Sequence, residues 1–316
     1  MSDLFVRYSL APSTKNSYRS GLNAYLLFCH QAGISSFPVC HQNLCSFASH
    51  LSHSVSFKTI KTYLASIQFV SIALGFPQHI KDFDRLHYVL RGIRRFQGSI
   101  FSRPKRGAIS KHHLKAIVRF LSLSTLHPQD KALFLAASLI AFFGLLRVSE
   151  YTYDNFNPSD SNSLMLSDTS IKGSIIFLHI RSSKTDPFRQ GTTIRIPSIN
   201  SELCPVVALQ NFLSFRGLSQ GPLFRFHDGG QLQRGHMQWL LRQIPGSLNL
   251  NTHSFRIGGA TAASAAGIPD STIQILGRWS SNAFKNYIRF SDDTIKALGT
   301  RMSNATGSDT VWQPYT

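Results

Sequence analysis

A chain of 316 residues, 42% of them hydrophobic, is long enough for two domains with a core in each. Lys and Arg outnumber Asp and Glu 33 to 15, a formal charge of +18 that points to a polyanionic partner. No apolar run reaches the roughly 18 residues of a membrane span, no charged-then-apolar leader opens the sequence, and Cys29, Cys40, Cys45 and Cys204 form no CxxC pair, so the pattern argues against a membrane segment, a secretory signal and a cysteine-rich metal site.

In chain order, Ser13 or Thr14 is placed to cap a helix in which Tyr18, Leu22, Tyr25, Leu26 and Cys29 share one face while Lys15 and Arg19 lie elsewhere, ending near Gly33. Leu44, Phe47, Ala48 and Leu51 form a second stripe, and Ser56 opens a third helix with Ile60, Tyr63, Leu64, Ile67 and Val70 inward. A fourth, over about residues 84–96, turns Leu86, Val89, Leu90 and Ile93 in and Arg85, Arg91, Arg94 and Arg95 out. Residues 1–97 therefore predict a helical bundle with basic faces. Residues 1–107 hold 13 Lys/Arg against three acidic residues, the denser part of the excess. Candidate phosphate contacts are Lys15, Arg19, Lys58, Lys61, Arg91, Arg94, Arg95, Lys105 and Arg106.

Gly, Pro, Ser and basic residues mark 98–109 as a linker, and Ser110 caps a helix through Leu114, Ile117, Val118 and Leu121. Residues 133–146 are almost wholly apolar, which predicts a helix buried on all sides that delivers Arg147 and Glu150. An arginine there needs an anion: it pairs with Glu150 at i+3 or faces a phosphate. Strand-like runs follow at 174–181 and 192–197, with a polar hairpin loop between them that carries Lys184. Cys204-Pro205 opens a helix through Leu209, Phe212 and Leu213, and residues 231–244 form another with Met237, Leu240 and Leu241 inside. A last helix is expected over 292–302, then a flexible tail over 303–316.

Residues 252–289, THSFRIGGATAASAAGIPDSTIQILGRWSSNAFKNYIR, concentrate the chemistry. In a helix His253 and Arg256 leave one face and converge on one anion. A run of small residues, a Gly-Ile-Pro-Asp break, a short helix, Gly277-Arg278-Trp279 and Tyr287 follow. In order and spacing Arg147, Lys184, His253, Arg256, Trp279 and Tyr287 resemble the tyrosine recombinase (phage integrase) family over residues 110–302. Residues 276–289 look most similar to the eukaryotic mobile-element recombinases of the DIRS, Ngaro and Crypton types.

The resemblance implies a mainly α fold with a small antiparallel β-sheet: an N-terminal helical, SAM-like core-binding domain that clamps DNA, and an α+β catalytic domain. It implies that Tyr287 attacks a phosphodiester and forms a covalent 3′-phosphotyrosine, with Arg147 and Arg256 on the phosphate, Lys184 as general acid and His253 sharing the phenolic proton. Arg181, Lys172 and Arg189 compete with Lys184 for its role. Trp279 stands where many members carry a second histidine; its spacing of eight to Tyr287 is one short, so Arg278 is the alternative occupant, and Glu150 helps to hold the site. No ATP, cofactor or metal is implied, and the sequence has no HEXXH, Walker loop or paired-carboxylate arrangement near the site. The partner implied is double-stranded DNA, bound by a homotetramer whose C-terminal helix docks on a neighbour, in the nucleus and with no membrane contact. A type IB topoisomerase-like enzyme and a catalytically idle DNA-binding descendant of a mobile element are the alternatives.

Overall fold

A computed structural model of the protein describes residues 6, 8–76, 79–100, 106–153, 163–182, 186, 190–290 and 292–305. The chain divides into two compact units, Met1–Pro104 and Lys105–Thr316.

Among the described residues of the first unit are the helices α1 (Pro12–Gln31), α2 (His41–Leu51), α3 (Phe57–Ala73) and α4 (Asp84–Ile100). α1 begins two residues earlier than a Ser13 cap would start it and three earlier than a Thr14 cap would, with Ala11 at the cap and Pro12 in the first turn. Proline's fixed φ suits that position, and its missing donor costs nothing there. Ser56 caps α3 by accepting from Thr59 N–H, as its spacing predicts. Tyr25, Leu44, Phe47, Ile60, Ile67 and Leu86 form a core with almost no exposed surface, whereas Leu26, expected inward, is exposed. The bundle closes around Tyr25 and Cys29, one turn apart, and leaves Leu26 at the rim. Buried Gln97 on α4 ties the α2–α3 turn down: its amide donates to Ser52 O and Val55 O, each at 2.8 Å, and its oxygen accepts Phe57 N–H at 2.6 Å. α4 thus continues into the segment whose composition reads as a linker.

The second unit opens with α5 (Lys111–Leu123), capped by Ser110, and α6 (Pro128–Phe143). α6 is buried nearly all round against α5, α8 (Pro205–Arg216) and α10 (Ser254–Ala265). It stops at Phe143, three residues short of the apolar run that predicts it. A one-turn helix α7 (Val148–Tyr151) follows. The sheet has three antiparallel strands in the order β1 (Thr169–Lys172), β2 (Ile175–Ile180), β3 (Thr192–Pro197), with Ile176 opposite Ile171 and Ile196. β1 has no counterpart among the two expected runs: four residues with alternating half-burial give too short a period-2 signal. α9 (Arg234–Arg242) is shorter than the expected 231–244, because Gln231 bridges to Arg225 as strand instead. α11 (Asp270–Leu276) and α12 (Asp292–Ala305) complete the unit. No helix among the described residues is long and apolar enough to cross a membrane. The four cysteines are free thiols, three buried and Cys40 exposed.

Candidate active site

Two helix ends build the site. At the end of α6, Gly144 N–H returns to Ile140 O, Leu145 takes φ 46°, and Leu146 N–H reaches back to Ala141 O at 3.0 Å. At the end of α11 the same pattern recurs: Gly277 N–H bonds Ile273 O, Arg278 takes φ 56°, and Trp279 N–H reaches Gln274 O at 3.0 Å. Both are left-handed C-terminal caps, and both place a residue other than glycine at the left-handed position, at a cost of roughly 1–3 kcal/mol each.

Arg256 joins the two turns. It sits in the first turn of α10, is fully buried, and donates through its two terminal nitrogens to Leu145 O and Gly277 O. Its Nε is buried with no hydrogen-bond partner among the described residues. The guanidinium lies 4.1 Å from the Trp279 ring centre and 5.7 Å from that of Tyr287. α10 comes this close because of Gly258 and Gly259: a Cβ on the first would overlap the carbonyl oxygen of Ile109, and one on the second that of Phe142.

Glu150 is the one buried carboxylate of the cluster. It accepts from Arg147 N–H at 2.8 Å and from the Arg147 guanidinium at 3.0 Å, while its other bond runs to Arg278 at 2.8 Å. Arg278 donates further to Gly144 O and Leu145 O, at 3.3 and 3.2 Å. Of the two alternatives for Arg147, the pair with Glu150 is therefore formed, and the side chain is still 17% exposed. Three guanidiniums face one carboxylate, so the site holds excess positive charge in a poorly solvated place. Burial, then Arg147 and Arg278, push the Arg256 guanidinium down to about 9. Burial, then Arg256, Arg106, Arg147 and Arg234, push His253 down to about 4, so its ring is neutral at neutral pH.

Tyr287 closes the arrangement. It ends a 3-10 turn over Asn282–Asn286, and Thr261 of α10 holds it there: the hydroxyl donates to Tyr287 O at 3.2 Å and accepts Arg289 N–H at 3.1 Å. Its ring centre is 5.1 Å from that of His253 and 5.0 Å from that of Trp279. Arg147, Glu150, His253, Arg256, Arg278, Trp279 and Tyr287 thus meet in one place. Trp279 packs on Arg256 and Tyr287, whereas Arg278 is taken up by Glu150 and the α6 turn, so the aromatic residue and not Arg278 stands beside the tyrosine.

Lys184, Arg189 and Lys105 lie outside the described residues. Of the competitors for the lysine's role, Arg181 is ion-paired with Asp168 at 2.8 Å and Lys172 lies over the Phe177 ring. In the first unit Lys15, Arg19, Lys58, Lys61, Arg91, Arg94 and Arg95 are all exposed, and Lys58 and Arg94 line one cleft of about 470 Å³ with His53, Ser54 and Ser56. Arg106, in the second unit, is exposed too, and its carbonyl accepts from Arg289. Thr261 and Arg234 are contributors that the spacing does not single out: one sits in a run of small residues, and the other heads α9 far away in sequence.

No family model matches the sequence. The chain is 25% identical over 281 residues to an integrase/recombinase XerD homologue of Selenomonas ruminantium, covering 84% of this chain and 77% of that protein. Among solved structures it is similar to the Tn1549 transposon integrase in complex with transposon right-end DNA, with a TM-score of 0.64 at 16% identity over 96% of this chain and 97% of that one. The XerH site-specific recombinase bound to a palindromic difH substrate follows with a TM-score of 0.62 at 14% identity, covering 91% and 79%. A lambda integrase dimer bound to a core site gives 0.57 at 14% identity, covering 91% and 75%. The structures show the fold, and the sequence relative, at 25% identity, is an integrase/recombinase homologue.

Proposed function

We propose that this chain, which shares the fold of the tyrosine recombinases and integrases, is a site-specific DNA recombinase that cuts and rejoins double-stranded DNA through a covalent 3′-phosphotyrosine at Tyr287. It is a DNA strand-transferring enzyme. One observation carries the reading: a half-buried tyrosine packs on a buried arginine with an unsatisfied Nε, beside two more arginines that share one carboxylate.

In the reaction the Tyr287 oxygen attacks the phosphorus, the P–O5′ bond breaks, and the 5′ oxygen leaves as a hydroxyl after taking a proton. Negative charge grows on the non-bridging oxygens. Arg147 and Arg256 are placed to take it up, and because Glu150 and the two turn carbonyls already hold them, they need little reorganisation as the charge appears. Neutral His253, beside the tyrosine ring, accepts or shares the phenolic proton. Trp279 walls the tyrosine and the guanidinium off from water. Lys184 is our candidate donor to the leaving oxygen. Because the bond energy is kept in the phosphotyrosine, religation needs neither nucleotide nor metal.

The finer reading follows the resemblance of residues 276–289: a recombinase of the DIRS, Ngaro or Crypton mobile-element type, acting in the nucleus as a homotetramer on two DNA sites. The exposed apolar residues Ile295, Leu298 and Met302 of α12 suit a helix that docks on a neighbouring copy. The test is to incubate wild type and Tyr287→Phe with labelled, nicked duplexes and run denaturing gels. A shifted, protease-sensitive band in the wild type alone is expected; a band of equal strength with Tyr287→Phe would overturn the assignment of the nucleophile.

A further inference from the structure

A second group of chemistry-bearing side chains lies at the other end of α6, about 24 Å from the turn that presents Arg147, at 1.5 Å per residue. His127 caps this helix, its Nδ1 accepting Gln129 N–H at 3.2 Å. Asp130, in the first turn, is buried and takes two bonds from His227: the backbone N–H at 2.9 Å and the ring Nδ1 at 2.8 Å. The His227 ring lies on that of His127, with centres 4.2 Å apart and planes 17° from parallel.

Asp130 faces the Nδ1 side of His227, so an ion that the two share takes the place of the proton between them, with His227 ligating through Nδ1 and carrying its proton on Nε2. Each Asp130 oxygen keeps a lone pair beyond the one that His227 uses. One ligand atom from each of the three residues lies within 4.8 Å of the others. Both rings are exposed, so an ion can reach them.

We propose that His127, Asp130 and His227 hold one first-row divalent metal ion, zinc above all, with its remaining position open to water. Two imidazoles and one carboxylate suit zinc, cobalt and nickel, whereas magnesium and calcium prefer oxygen donors throughout. Tetrahedral bonds of 2.0–2.1 Å put ligand atoms about 3.3 Å apart, so the rings swing together on binding. His127 then gives up its contact with Gln129, because a ring that ligates through one nitrogen carries its proton on the other. The ion clamps the loop around His227 to the start of α6. The phosphotyrosine reaction uses no metal, so the role of this ion is structural and the inference stands apart from the proposed activity.

Chelator-treated full-length protein is titrated with Co²⁺, followed by its visible absorption, and the cobalt is then displaced with Zn²⁺. One equivalent is expected to bind, and His127→Ala and His227→Ala each to weaken binding at least tenfold. Asp130→Asn, which replaces a carboxylate ligand by a neutral amide, should likewise weaken it at least tenfold. Absence of stoichiometric binding by the wild type overturns the proposal. So does binding that survives both histidine substitutions, which would assign the ion to other groups such as the exposed thiol of Cys40. Should His227→Ala fail to fold, the exposed His127 decides alone: a correctly folded His127→Ala with wild-type affinity overturns the site.

Discussion

Arg256 shows how a single residue is conditioned by where it lies. Burial and two neighbouring guanidiniums disfavour its charge, and only Glu150 and the tyrosine oppose them. An anion in the site relieves this conflict, so the cost of assembling the cations is met in folding and recovered when phosphate binds. Glu150 restrains the cluster until then. Glu150→Gln is expected to destabilise the protein by about 3 kcal/mol, since removing one member of a buried ion pair leaves the others uncompensated; urea unfolding measures it. The same substitution should reduce covalent linkage to nicked DNA, because Arg147 and Arg278 lose their common anchor. His253 gives a pH signature. Its folded value of about 4 lies below the ordinary value near 6.5, so between these pH values the unfolded chain binds a proton that the folded chain refuses. Stability should therefore fall as pH drops from about 6.5 to about 4 and level off below. Allowing for the ring's partial exposure, the contribution is on the order of 1–2 kcal/mol. Urea unfolding of wild type and His253→Gln across that range checks it: the variant should lack this component, and identical slopes would refute the assignment.

At the scale of elements, the site depends on how closely three helices approach. α10 can bring Arg256 to Leu145 O only because Gly258 and Gly259 present no side chain to the Ile109 and Phe142 carbonyls. Gly258→Ala sets a methyl against backbone, which cannot swing aside as a flexible side chain would. A loss of about 3 kcal/mol is expected, the upper end for overpacking, read as a lower melting midpoint. A variant within 0.5 kcal/mol of wild type would mean that the helix can shift freely. Gly277 acts differently: the Trp279 ring lies directly over its Cα, so Gly277→Ala displaces the tryptophan and with it the wall behind Tyr287. Here covalent linkage should fall more than stability does. The paired left-handed turns explain why α6 ends before its apolar run does. Leu145 and Leu146 remain buried, but as a turn whose carbonyls hold two arginines.

At the scale of the whole molecule, the positive charge has two distributions. In the second unit Arg147, Arg256 and Arg278 gather beside the tyrosine, buried or partly buried, while other cations such as Lys111, Arg119 and Arg242 are exposed; in the first the candidate phosphate contacts are exposed side chains of α1, α3 and α4. Exposed cations bind DNA by releasing its counterions, so affinity should fall steeply with salt, by about 0.9 in the log–log slope for each phosphate contact. Arg94→Ala, in the cleft shared with Lys58, is expected to lower that slope by about one. Fluorescence anisotropy of a labelled duplex between 50 and 200 mM salt measures it, and an unchanged slope would remove Arg94 from the contact surface.

Much of this was legible in the linear chain, for local reasons. Ser56 and Ser110 begin helices because a hydroxyl can satisfy a helix's first N–H groups, and the period of Leu44, Phe47, Ala48 and Leu51 fixes which side is buried. The order of Arg147, His253, Arg256, Trp279 and Tyr287 pointed to phosphate chemistry, because few functions need that set of donors with one tyrosine. Other features depend on distant partners. That Trp279 and not Arg278 stands beside Tyr287 follows from the left-handed turn at Arg278, which sends its guanidinium to Glu150, 128 positions away in sequence. Thr261 fixes the tyrosine's backbone from a neighbouring helix, and Asp130 meets His227 across 97 positions. Periodicity, caps and composition are set by neighbours along the chain and can be read there; which buried charge finds which partner is settled only when packing removes the water that would otherwise have served them all.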